Sequence, residues 1–153
     1  MVWLEHENGL RFRGRDVISG RTLGGYVRSE GHLPKGLFGG SEKPAISIEV
    51  WLRAAVETTH GVPTFLSLLD HSGKVGLLLG QWRSALIVRW PVPGYDVREK
   101  WSELGVKDAL PKGVRRLLTI GSEQKGTSVY VDGKLARALP NLNLNDVAPG
   151  IMD

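Results

Sequence analysis

Residues 45–53 read AISIEVWLR, and this stretch decides the fold. Apolar and polar positions alternate strictly along it, so that one face carries Ile46, Ile48, Val50 and Leu52 and the other carries Ser47, Glu49, Trp51 and Arg53. A period of two residues is typical of a β-strand with one buried and one solvated face. The stretch therefore predicts a strand whose second face is polar but presents a large aromatic ring.

The same signal recurs along the 153-residue chain, where 20 glycines fall between short apolar or alternating runs. This pattern predicts further strands at 9–13, 64–69, 74–81, 84–90, 114–120, 128–131 and 134–138. Asp132-Gly133 predicts a two-residue hairpin turn between the last two, because a turn of the primed type requires positive φ at both positions. Strands that follow one another without intervening helices predict an all-β fold of packed sheets.

Two stretches are predicted to be irregular. Residues 91–113 are rich in proline and glycine, and Val97, Trp101 and Leu104 stand at helical spacing within them. This combination predicts a long loop with one or two helical turns in 97–104. Residues 31–44 contain closely spaced glycines and are predicted to form a surface loop.

Size and composition indicate one soluble domain over residues 1–153. A chain of this length buries about two thirds of its unfolded surface, so it needs no disulfide or metal to form a core. It has no cysteine and no apolar run of about 18 residues, the length of a membrane span. Its first residues lack the pattern of a secretion signal.

The net charge of +4 is spread along the chain and does not predict a nucleic-acid partner. Its densest basic cluster is Arg11, Arg13 and Arg15, which alternate with less polar residues. On a strand these three arginines share one face, which we interpret as solvated.

Three blocks, in order, resemble one known family: residues 9–14 (GLRFRG), 45–53 (AISIEVWLR) and 118–134 (LTIGSEQKGTSVYVDGK). Together they are similar to laminin-G-like domains of the concanavalin A-like superfamily, over roughly residues 9–140. The type appended to bacterial VanZ-like membrane proteins is the closer likeness. The resemblance implies a two-sheet antiparallel jelly-roll sandwich, located outside the cytoplasm at the cell envelope and tethered to a membrane protein.

The family pattern continues after the hairpin with roughly three closing strands that residues 141–153 do not match. We therefore expect a sandwich truncated at its C-terminal strands, with an exposed sheet edge that makes the chain prone to association.

Glycoside hydrolysis is the enzymatic alternative, because glucanases of this superfamily place two carboxylates about 5 Å apart on one strand face. The matching strand here offers Glu49 without an acidic neighbour on the same face. One carboxylate cannot serve as both acid and nucleophile, so we predict a non-catalytic domain with no catalytic residue. Glu49 is instead interpreted as the ion-pair partner of Arg53 or of a cross-strand arginine.

The candidate ligand-binding residues are Glu49, Trp51, Arg53, Arg89 and Tyr130, because strands at the centre of a sandwich would bring them onto one face. Trp51 has two interpretations, as a sugar-stacking platform or as an apolar plug beneath a loop. The predicted ligand is a carbohydrate or a protein. The alternatives that stay open are a structural spacer of a membrane protein and a glucanase-type hydrolase.

No cofactor is predicted. The four histidines stand far apart in a chain without cysteine, so zinc-ligand spacing is absent from the sequence. Many laminin-G-like domains bind calcium, and residues Asn141, Asn143, Asn145 and Asp146 carry suitable oxygen ligands. Because the cluster has one carboxylate, Asx turns explain it more simply.

Overall fold

The computed structural model describes residues 2–4, 9–11, 45–55, 57, 60–69, 75–92, 100–140, 142 and 144. The chain divides into two compact units, Met1–His32 and Leu33–Asp153. The first unit contains an antiparallel pair, β1 (Val2–Leu4) and β2 (Gly9–Arg11), in which Trp3 lies opposite Leu10.

The second unit contains two four-stranded sheets. Its strands are β3 (Ile46–Arg53), β4 (Thr64–Leu69), β5 (Val75–Trp82), β6 (Ala85–Pro91), β7 (Trp101–Val106), β8 (Arg115–Glu123), β9 (Gly126–Val131) and β10 (Lys134–Leu139). The first sheet has the order β10-β9-β8-β3 and the second has the order β4-β5-β6-β7. All neighbouring strands are antiparallel. No helix among the described residues has the length and apolarity to cross a membrane.

Aliphatic side chains from both sheets meet in one hydrophobic core. The most deeply buried, each at most 1% exposed, include Leu79, Leu86 and Val88 from the second sheet and Leu118, Ile120 and Val129 from the first. Each such side chain contributes about 1.5–3 kcal/mol when it leaves water. The β3 residues Ile48, Val50 and Leu52 pack against this core. The prediction of an all-β sandwich is therefore confirmed.

The structure corrects the prediction of a loop with helical turns at 97–104. Residues 101–106 form β7, in which Leu104 and Val106 are buried while Glu103 and Gly105 are exposed. Pairing with β6 decides the local structure, because it places Leu104 opposite Val88 in the core. The helical spacing of Trp101 and Leu104 is incidental. Residues 97–99, the predicted loop at 31–44, and Arg13 and Arg15 lie outside the described residues.

The predicted hairpin turn between β9 and β10 is confirmed. Asp132 and Gly133 have φ values of 51° and 76°, as a primed turn requires. Asp132 Oδ1 accepts a hydrogen bond from Leu117 N at 3.0 Å, and the Arg116 guanidinium donates to Oδ2. Asp132 N in turn donates to Leu117 O at 2.9 Å. The hydrogen bond from Leu117 N and, next, the bond from Arg116 lower the pKa of Asp132.

The end of β10 and Pro140, which follows it, lie directly against Gly126, the first residue of β9. Gly126 has a φ of 116°, and a Cβ atom there would contact Leu139 O and lie 2.6 Å from Pro140 Cα. Such a separation is shorter than side-chain carbon atoms tolerate, and the positive φ adds strain for any L-residue. Glycine at 126 therefore permits this close approach.

Two buried hydroxyls of the first sheet form hydrogen bonds with the backbone of Leu142 and Leu144, which follow β10 in the chain. Thr127 Oγ1 donates to Leu142 O at 2.7 Å and lies 2.9 Å from Ser122 Oγ, which accepts a hydrogen bond from Leu144 N at 2.9 Å. Both hydroxyls thus have partners, as burial requires. Leu144 is 3% exposed and joins the core. These bonds therefore hold the backbone of Leu142 and Leu144 against the first sheet.

We expect Gly126→Ala to lower the free energy of unfolding by about 2–4 kcal/mol, because the added methyl group meets backbone atoms that cannot rotate away. Gly121→Ala is the matched control, since a Cβ atom at Gly121 meets nothing within 4 Å, and its effect should stay within about 0.5 kcal/mol. Denaturant unfolding of both variants measures the difference. Equal stability of the two variants would contradict the close approach.

The lowered pKa of Asp132 makes its contribution to stability depend on pH. A carboxyl group that is more acidic in the folded chain stabilises it above the unfolded pKa, near 3.8, and ceases to do so as pH falls through the folded value. We therefore expect Asp132→Asn to be less stable than the parent at pH 7, and the difference to shrink as pH falls below the unfolded value of 3.8. A stability difference that is the same from pH 7 to pH 2 would refute this linkage.

Candidate functional site

The alternation that buries one face of β3 turns Glu49, Trp51 and Arg53 outward. Trp51 is 68% exposed although it lies in the middle of a regular strand. An indole ring normally leaves water on folding, because it contributes a large apolar area to the core. Trp51 therefore presents much of its ring on the outer side of β3.

Strand register arranges the outward side chains of the first sheet in rows. One row crosses all four strands and consists of Glu49, Thr119, Tyr130 and Leu135. The next row contains Trp51 and Leu117, and a third row contains Arg53 and Arg115. Neighbouring strands lie about 4.8 Å apart, so β3 and β9, which carry Trp51 and Tyr130, are about 10 Å apart. One ligand of modest size can therefore contact both aromatic rings.

We call the surface formed by Trp51, Leu117, Tyr130 and Leu135 the aromatic face. Leu135 is 58% exposed, whereas Leu117 and Tyr130 are half-buried. A contiguous apolar patch with charged residues at its border is typical of a recognition surface. Glu49, Arg53 and Arg115 lie on the same sheet face, so the aromatic face has charged, hydrogen-bonding groups beside its apolar residues.

The predicted ion pair of Glu49 is not found in the described part of the chain. Thr119, not an arginine, lies opposite Glu49, and Arg53 lies opposite Arg115. Glu49 is exposed, and no ion pair of its carboxylate occurs among the residues that the structure describes. Its described neighbours on this face, Ser47, Trp51 and Thr119, include no second carboxylate. The arrangement offers a hydrogen-bond acceptor beside the indole ring.

Arg89 does not join the other four candidate residues. It lies in β6 of the second sheet, opposite Leu78 and Glu103. Its Nε donates to Glu103 Oε2 at 2.6 Å. Because the two sheets are different layers of the sandwich, the structure brings Glu49, Trp51, Arg53 and Tyr130 onto one sheet face and places Arg89 on the other sheet.

Sequence reasoning missed Leu117 and Leu135 as members of the aromatic face. A signal existed for Leu117, since it precedes Leu118 directly and adjacent strand residues point to opposite faces. Leu135 follows the hairpin turn, and its position opposite Tyr130 comes from the register of β10 with β9. The turn alone would have permitted that assignment, because a two-residue turn fixes the register of its hairpin.

The second sheet carries a separate exposed tryptophan at the turn between β5 and β6. Trp82 is 44% exposed, and the Arg83 guanidinium lies 4.8 Å from the centre of its ring. That distance is within the range of a cation–π contact. The ring of Trp82 is thus already covered in part, unlike that of Trp51.

No group of three or more histidine, aspartate or glutamate side chains is placed to hold a metal ion within the described ranges. The calcium ligands considered from the sequence, Asn141, Asn143, Asn145 and Asp146, lie outside those ranges. The same holds for His6, His32 and His71. The candidate site therefore consists of the aromatic face and the charged residues Glu49, Arg53 and Arg115 beside it.

Comparison with known proteins finds no family model, no curated protein and no solved structure that matches this chain. The functional interpretation accordingly depends on the geometry of the aromatic face. The likeness of the three sequence blocks to laminin-G-like domains stays a prediction.

Because Trp51 contacts little of the protein, we expect Trp51→Ala to change the free energy of unfolding by less than about 1 kcal/mol. Trp90→Ala is the matched comparison, since Trp90 is 8% exposed and its truncation should cost about 3–5 kcal/mol. Denaturant unfolding monitored by circular dichroism measures both. A large loss of stability in Trp51→Ala would show that the ring is structural.

Proposed function

We propose that this chain is a non-catalytic recognition domain that binds a carbohydrate through the aromatic face. The exposure of Trp51 on a regular strand carries this proposal. Binding of a partner would remove the apolar surface of the indole ring from water, which lowers the free energy of the complex. The similarity to laminin-G-like, concanavalin A-like jelly-roll domains supports the same role. It also supports a location at a bacterial cell envelope, in a chain tethered to a membrane protein.

The chemistry beside Trp51 suits a sugar. A pyranose ring has an apolar face of C–H groups that stacks on an aromatic ring and an edge of hydroxyl groups that needs hydrogen-bond partners. Trp51 supplies the ring, while Glu49 and Arg53, two residues away on the same strand face, supply a charged acceptor and a charged donor. Hydrogen bonds to charged groups are stronger than neutral ones, so this set favours an oriented sugar.

A protein partner is the second candidate, and the aliphatic part of the aromatic face favours it. Leu135 is 58% exposed and lies opposite Tyr130, which makes this side of the face apolar and flat. Protein interfaces are enriched in tyrosine, tryptophan and arginine, all of which occur here. A protein ligand would cover Leu135 together with Trp51, whereas a sugar needs Trp51 and its charged neighbours.

The proposal assigns no catalytic role to Glu49. Hydrolysis of a glycosidic bond requires two carboxyl groups in defined positions. Ser47, Trp51 and Thr119 occupy the described positions around Glu49 and cannot replace the second carboxyl group. Binding without cleavage is therefore the activity that this set of side chains supports best.

A glycan array followed by calorimetric titration of the strongest glycan tests the proposal. We expect the double variant Trp51→Ala, Tyr130→Ala to bind that glycan at least about tenfold more weakly, because two stacking rings are lost. Trp82→Ala is the matched control and should bind as the parent does, since it removes an exposed tryptophan from the other sheet.

Two results would overturn the carbohydrate proposal. One is the absence of any glycan bound by the parent chain, which would favour a protein ligand or a structural spacer of a membrane protein. The other is unchanged affinity in the double variant. Cleavage of a bound glycan during the titration would instead support the hydrolase alternative.

A further inference from the structure

A cavity of about 510 Å³ opens between β7 and β10, the edge strands of the two sheets. The second sheet contributes Trp90, Ser102, Glu103, Leu104 and Gly105 to its lining, and β10 with the residues after it contributes Arg137, Leu139, Pro140 and Leu142. Ser102 lies opposite Trp90 in the ladder between β6 and β7. The lining thus combines apolar side chains with a hydroxyl, a guanidinium and the carboxylate of Glu103.

An irregularity in β10 turns Arg137 toward this cavity. Leu135 lies opposite Tyr130 on the outer face, but the register shifts between Leu135 and Arg137, so that Arg137 lies opposite Val129. Val129 is fully buried in the core. With regular pairing Ala136 would occupy this position. The bulge therefore aligns Arg137 with a core-facing residue of β9 while its side chain stays exposed at the sheet edge. Bulges often redirect side chains in this way near binding sites.

Arg137 is the cationic group among the described residues that line the cavity. Among the described residues its guanidinium has no hydrogen-bond or ion-pair partner. On the opposite edge the Glu103 carboxylate is bound by Arg89 Nε at 2.6 Å, so its charge is largely compensated. A single anionic group is attracted to Arg137, and the described lining residues offer no second cation for another anionic group.

We propose that this cavity binds a small amphipathic monocarboxylate. Its carboxylate pairs with Arg137, its alkyl or aryl chain packs against Trp90, Leu104 and Leu139, and Ser102 offers a hydrogen bond. The cavity is open to solvent, and its volume near 510 Å³ lies in the range of small-molecule sites. This site is separate from the aromatic face and does not depend on the carbohydrate proposal.

The simpler explanation of the same bulge is protection of the sheet edge. Edge strands use bulges and inward-pointing charges to prevent pairing with another chain. Under that explanation Arg137 has no ligand, and its removal increases self-association. The cavity and its apolar lining are not required by edge protection, so the two explanations predict different results.

Calorimetric titration of the full chain with octanoate, 3-phenylpropionate and octylammonium tests the proposal. We expect saturable binding of a carboxylate and none of octylammonium, which has the chain of octanoate but the opposite charge. Arg137→Gln should weaken carboxylate binding at least about tenfold, because a charge-assisted hydrogen bond is lost. Arg53→Gln is the matched control on the other face and should leave the affinity unchanged.

Amide chemical shifts locate the bound carboxylate. We expect the resonances of Ser102 and Leu104 to move on titration while the indole N–H of Trp51 does not. Three outcomes would overturn the proposal: no saturable binding of either carboxylate, equal binding of octylammonium, or unchanged affinity in Arg137→Gln. Increased self-association of Arg137→Gln with no carboxylate binding to the parent would establish edge protection instead.

Discussion

The antiparallel pairing of β3 with β8 is the constraint on which the rest of the first sheet depends. It places Ile48 opposite Ile120 and Val50 opposite Leu118 on the core side, and Trp51 opposite Leu117 on the outer side. A slip of one residue in β3 would send its aliphatic side chains into water and its polar ones into the core. Burial of the aliphatic residues therefore determines that Glu49, Trp51 and Arg53 face outward.

Features with a local cause were predictable from the sequence. The alternation in residues 45–53 specified β3 and its outward face, and Asp132-Gly133 specified a primed turn that needs no distant contact. β7 was missed because its identity comes from pairing with β6, while the proline- and glycine-rich sequence around it predicts a loop. Non-local pairing decides such a strand, and the sequence pattern does not show it.

The candidate site was predictable to the extent that its residues belong to one strand. Glu49, Trp51 and Arg53 share a face by their spacing alone. Tyr130 joins them through β8, which lies between β3 and β9. Arg89 was grouped with them because its strand was expected at the centre of the same sandwich, but sheet membership depends on the order of strands in space. The bulge that redirects Arg137 has no recognisable signal in the sequence.

The strand order of the first sheet also has a consequence for how the protein folds. β8, β9 and β10 are joined by short connections, whereas all four strands of the second sheet lie between β3 and β8 in the chain. Closing so long a loop costs conformational entropy, and such non-local pairings form slowly. We therefore expect β3 to join its sheet late, and the hydrophobic side chains of β8 to stay open to aggregation until it does. The ring of Trp51 reaches its neighbours only at that step, so the aromatic face exists only in the fully folded chain.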